Sequence, residues 1–116
     1  MQTQASPGDG EVVKITNEVI GRIAAIAAKE VPGVAGVRQG IPLGSTTLFG
    51  GVKVKTQERE LHIGIPLIVE YGVNLPRVAI QVQERVRAAV HRMTDLTAIE
   101  VDVSVNGVRE PKEGRS

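Results

Sequence analysis

Apolar residues recur at three- and four-residue steps through two segments of this chain, and at two-residue steps through three others. The first helical pattern, Val19, Ile20, Ile23, Ile26, Ala27 and Val31, places these side chains on one face of a helix over 17–30. Thr16 or Asn17 caps it, Glu18 suits both the helix dipole and an i,i+4 pair with Arg22, and Pro32-Gly33 ends it. The second pattern, Val78, Val82, Val86, Ala89, Val90 and Met93, predicts a helix over 75–93. Asn74 is its cap, and Pro76 lies in the first turn, where its missing N–H costs nothing.

The strand patterns are as clear. Val52 and Val54 alternate with Lys53 and Lys55. Leu61, Ile63, Ile65, Leu67 and Val69 alternate with His62, Gly64, Pro66, Ile68 and Glu70; Ile99, Val101, Val103 and Val105 alternate with Glu100, Asp102, Ser104 and Asn106. Period-two alternation means one covered face and one face open to water. A short β-type run at Val12, Val13 and Ile15 precedes the first helix, an extended stretch follows Pro32-Gly33, and residues 57–60 turn one strand into the next. Two amphipathic helices can cover the apolar face. The expected fold is α+β: a two-layer sandwich of a mixed, mostly antiparallel sheet with both helices on one face, in β-α-β-β-β-α-β order. Pro66 cannot donate to a ladder, so its strand is expected at an edge or with a bulge there.

Composition narrows this picture. With 116 residues the chain suits one domain, expected over 10–108 with flexible segments at 1–9 and 109–116; residues 107–116 read as a charged tail that packs little. Phe49 and Tyr71 are the only aromatic residues, so the core is aliphatic. The absence of cysteine excludes disulfides and thiolate zinc sites and fits a reducing cytoplasm. The N-terminus lacks a basic-then-apolar leader pattern, and the apolar runs Ile23–Ala28 and Ile63–Val69 are too short to span a bilayer. A net charge of +1 is too balanced to predict nucleic-acid binding.

Five segments in order resemble one family. They are the strand-helix module with Ile23-Ala24 and the exit Glu30-Val31-Pro32-Gly33-Val34; Gly51-Val52-Lys53-Val54; Leu67 to Gly72, ending in Tyr-Gly; Ile80 to Val86; and Ile99 to Val108. Together they resemble the alkaline shock protein family of small bacterial envelope-stress proteins. The resemblance implies a cytoplasmic, non-enzymatic protein of cell-envelope homeostasis without a cofactor. It works through a protein partner, which holds some relatives at the membrane, or through self-association. The family supplies no catalytic residues to carry over.

Candidate chemistry is sparse. Glu100 and Asp102 share a strand face but lack the contrasting environments that acid–base work needs. His62 and His91 lie on separate elements without metal-ligand spacing and read as surface histidines, so no metal site is expected. Ser45-Thr46-Thr47 lacks the Gly-Lys-Ser/Thr ending of a phosphate loop. Two features point to protein contact. Ile41, Leu43, Leu48 and Phe49 sit in a glycine-rich loop and either tuck back under the sheet or dock a partner. The polar side of the second helix carries Arg77, Arg85, Arg87, His91 and Arg92 against Glu84 alone; Arg77, Arg85 and Arg92 form an outward row suited to an acidic partner. The alternatives are a nucleic-acid binder using that helix, disfavoured because no exposed strand position carries a stacking aromatic, and a small-molecule regulatory domain, supported by fold analogy alone.

Overall fold

The computed structural model describes residues 3–4, 12–40 and 48–110. Helix α1 spans Asn17–Lys29 and α2 spans Leu75–Thr94. The main sheet holds β3 (Val34–Val37), β4 (Leu48–Phe49), β5 (Val52–Gln57), β6 (Glu60–Glu70) and β7 (Ile99–Arg109). The run at Val12–Val13 (β2) does not join this sheet. It pairs antiparallel with Thr3–Gln4 (β1) in a separate ribbon, and Thr3–Gln4 lies within the segment expected to be flexible.

Local signals act as read at both helix starts. The Thr16 hydroxyl accepts from the Val19 N–H at 3.3 Å, and Asn74 Oδ1 accepts from the Arg77 N–H at 2.9 Å. At the other end of α2, Thr94 donates its hydroxyl to the Val90 carbonyl at 2.7 Å and accepts from the Leu96 N–H at 3.2 Å. This arrangement satisfies the one buried polar side chain among the described core residues.

β6 is the spine of the sheet. β7 runs parallel to it along Leu61–Glu70, while β5 pairs antiparallel with Glu60–Gly64 and β3 with Leu67–Val69. Because β7 takes one edge over the whole length, β5 and β3 share the other, end to end. Pro66 falls in the gap between them. Its carbonyl accepts from the Arg38 N–H at 2.8 Å on that side, and its missing donor coincides with the place where neither strand pairs. The expected edge position is therefore corrected: a proline sits in a central strand because one neighbour is interrupted there. The bulge in β6–β7 lies one step on, between Leu67 and Ile68. β7 itself continues to Arg109, so Gly107, Val108 and Arg109 belong to the sheet and not to a tail.

Both helices cover the same sheet face, α1 over β3, β4 and β5 and α2 over β7, and they pack on each other. Ile20, Leu61, Ile63, Ile65, Leu67, Val69, Val82, Val86 and Val90 are almost wholly buried between the layers. The face that α1 buries differs from the expected stripe. Ile20, Gly21, Ala24, Ala25, Ala27 and Ala28 point inward, while Val19 and Ile26 are exposed and Ile23 is half-buried. Small residues let α1 approach its neighbours closely, and that rotates the larger aliphatics outward. On α2 the valines are buried as expected, Ala89 is partly covered, and Met93 is exposed; Thr94 takes the last inward position.

Candidate interaction surfaces

The cations on α2 divide by what they touch. Arg85 donates from Nη1 to Glu30 Oε1 at 2.9 Å and ties α2 to the end of α1. Both side chains are about half exposed, so the pair contributes roughly 0.2–1 kcal/mol. Arg87 Nε donates to the Ile99 carbonyl at 3.3 Å, and Gln83 Nε2 to the Val101 carbonyl at 3.1 Å. Ala98 gives its carbonyl to the Leu61 N–H, so the carbonyls of Ile99 and Val101 point away from β6, and α2 closes the first half of an otherwise free strand edge. His91 Nδ1 lies 2.7 Å from the Leu96 carbonyl, which fits the tautomer with hydrogen on Nδ1. Arg77 and Arg92 are exposed and, among the described residues, their guanidinium groups have no hydrogen-bond or ion-pair partner. The row Arg77, Arg85, Arg92 therefore exists on the surface, with Arg85 engaged and the outer two free.

In the apolar loop, Ile41 and Leu43 lie outside the described residues. Leu48 and Phe49 form β4 and are half-buried, and Phe49 packs against the core. A β-carbon placed at Gly21 would lie 2.6 Å from the Phe49 β-carbon, so α1 depends on a glycine to pass this strand. Gly51, at φ +88°, does the same for the chain entering β5: a β-carbon there would collide with the Arg38 carbonyl.

Among the described residues, the second sheet face carries no helix. Across it the register aligns Lys55, His62 and Glu100 in one row and Lys53, Gly64 and Asp102 in the next. His62 Nε2 lies 3.2 Å from Glu60 Oε1 and Nδ1 lies 3.0 Å from Glu100 Oε1. Local sequence patterns miss this His–carboxylate cluster, because the side-by-side placement of His62 and Glu100 requires the parallel β6–β7 register. One ligand atom from each of Glu60, His62 and Glu100 lies within 4.8 Å of the other two, a spacing that a metal ion could bridge, on side chains that are exposed or half-buried. His91 lies elsewhere, in contact with Leu96. The face is hollow: a groove of about 590 Å³ runs over Gly64 and Pro66, with Lys53 and Lys55 on one side and Asp102 and Ser104 on the other, and Arg38 reaches from the β3 side to donate from Nη1 to the Asn106 carbonyl at 3.1 Å.

Among the described residues no helix is long and apolar enough to cross a membrane. In sequence, the chain is 38% identical over 103 residues to YqhY of Bacillus subtilis (strain 168), covering 84% of this chain and 76% of that protein. It is 31% identical over 105 residues to YloU of the same strain, covering 84% and 88%. A stress response regulator gls24 homolog of Streptococcus pyogenes is 26% identical over 104 residues, which is 84% of this chain and 58% of that relative. Among solved structures, the copper form of a MamM CTD variant superposes with a TM-score of 0.52 at 22% identity over 82% of this chain and all of that one, a likeness of fold. Residues 5–110 match the family model of alkaline shock protein 23, described as having a cell envelope-related function, and the chain belongs to this family, the alkaline shock proteins.

Proposed function

We propose that the protein serves the envelope stress response by binding another protein and catalyses no reaction itself. The observation that carries this reading is the arginine row on α2. Arg77 and Arg92 stand about 22 Å apart along a rigid helix, at 1.5 Å rise per residue, and hold their guanidinium groups in solvent. A helix already ordered by the core loses little further entropy on docking, and unpaired cations steer an acidic surface into register. In this reading the protein works in the cytoplasm and reaches the membrane through its partner. The kinship with a stress response regulator gls24 homolog supports the setting.

The test is the double variant Arg77→Glu, Arg92→Glu, which leaves the Arg85–Glu30 pair intact. Circular dichroism and melting should match the parent, while chemical crosslinking in the native cell should lose its main adduct. An unchanged adduct from a folded variant would remove α2 as the docking surface.

A further inference from the structure

The open sheet face is charged in columns. Strand β5 contributes Lys53 and Lys55, β7 contributes Asp102 and Glu100, and between them β6 contributes His62, Gly64 and Pro66. The four charged residues are exposed. Among the described residues Lys53, Lys55 and Asp102 form no ion pair, and Glu100 contacts only His62. Neighbouring strands lie about 4.8 Å apart, so the cationic and anionic columns stand about 10 Å apart on either side of the groove.

We propose that a second copy of this chain docks on this face, related by a two-fold axis running along β6. Two identical faces can be apposed about an axis in the plane between them in two principal ways. An axis across the strands lays cations on cations and anions on anions. An axis along β6 exchanges the left and right columns while keeping position along the strands, so Lys55 meets Glu100 of the second copy and Lys53 meets its Asp102. The register makes this match possible, because Lys55 and Glu100 share one row and Lys53 and Asp102 share the next. By symmetry each contact occurs twice, which gives the self-complementary patch that a two-fold dimer requires.

Gly64 puts no side chain on the floor and Arg38 bridges to the Asn106 carbonyl at the Pro66 end, so the charged rims meet first and water fills the groove between. Such an interface is polar, its affinity falls with added salt, and its orientation is set by charge. It uses the layer opposite α2 and leaves Arg77 and Arg92 free, so it stands or falls separately from the docking surface proposed above.

Sedimentation equilibrium of the full chain tests it, using Lys53→Glu, Lys55→Glu as one double variant and Glu100→Lys, Asp102→Lys as the other. The parent should dimerise at low salt and dissociate as salt rises. Each variant alone should bind itself about a hundredfold more weakly, because both of its columns carry one sign. An equimolar mixture of the two should form the heterodimer. Should a charge-reversed variant fail to fold, Lys53→Gln, Lys55→Gln and Glu100→Gln, Asp102→Asn carry the same reading, with a smaller loss for each. A parent that stays monomeric at about 1 mM chain, folded variants that dimerise like the parent, or a mixture of folded reversed variants that stays monomeric would each overturn the proposal.

Discussion

Phe49 rests on Gly21 so closely that a β-carbon at Gly21 would lie 2.6 Å from the Phe49 β-carbon. The atom it meets is fixed to the backbone of β4 and cannot swing aside. Gly21→Ala should therefore lower stability by about 1 kcal/mol net, since overpacking outweighs the roughly 1 kcal/mol that alanine gains in helix propensity. Thermal melting checks the sign, and a higher melting temperature would mean that β4 gives way without cost.

Ile20 and Ile26 offer a matched pair on α1. Ile20 is wholly buried and Ile26 is 58% exposed. Ile20→Ala should cost about 2–5 kcal/mol and Ile20→Asp should unfold the domain, whereas Ile26→Asp should stay within about 0.5 kcal/mol of the parent. Urea unfolding distinguishes them. Equal damage at both positions would return the inward face to the stripe drawn from hydrophobicity alone.

Among the described residues, two other than glycine hold positive φ, Glu58 at 57° in the β5–β6 turn and Asp95 at 67° after α2. Glycine removes the β-carbon clash at either place and costs unfolded-chain entropy in return. Glu58→Gly should gain about 0.5–1 kcal/mol. Asp95→Gly should gain less, because aspartate tolerates this conformation better than glutamate. Differential scanning calorimetry of the single variants orders the two.

Gly51 combines positive φ with a backbone contact, so no relief is available to a side chain there. Gly51→Ala should cost more than about 1 kcal/mol, and the loss should show in hydrogen exchange as faster opening of β5 beside Arg38. An exchange pattern unchanged at β5 would contradict the contact.

Much of this architecture is legible in the residues. Asn74, Pro76 and valines at four-residue steps define α2 almost to its ends, and clean alternation defines β5, β6 and β7. The inward face of α1 is not legible, because its contacts are made by Ala24, Ala27, Ala28 and Gly21, which hydrophobicity ranks below Val19 and Ile26. The exposed arginine row follows from the α2 stripe, but the engagement of Arg85 by Glu30 and of Arg87 by Ile99 depends on tertiary placement across 55 and 12 residues. The charged rows of the open face required the parallel register of β6 and β7, which no local pattern encodes.

The gap at Pro66 also bears on how this protein can be modified. β3 and β5 occupy separate stretches of one edge, so neither sets the other's register. The chain leaves at Arg38 and returns at Gly51, and these two residues touch, which pins both ends of the connection between them. A pinned connection whose only paired stretch is the short β4 at its end is a natural insertion site ahead of that strand, where doubling the length costs only about 0.6 kcal/mol of closure entropy. A reporter domain spliced between residues 40 and 48 should leave the sheet and both helices as they are and stand at the rim of the charged groove, which Gly40 and Leu48 line.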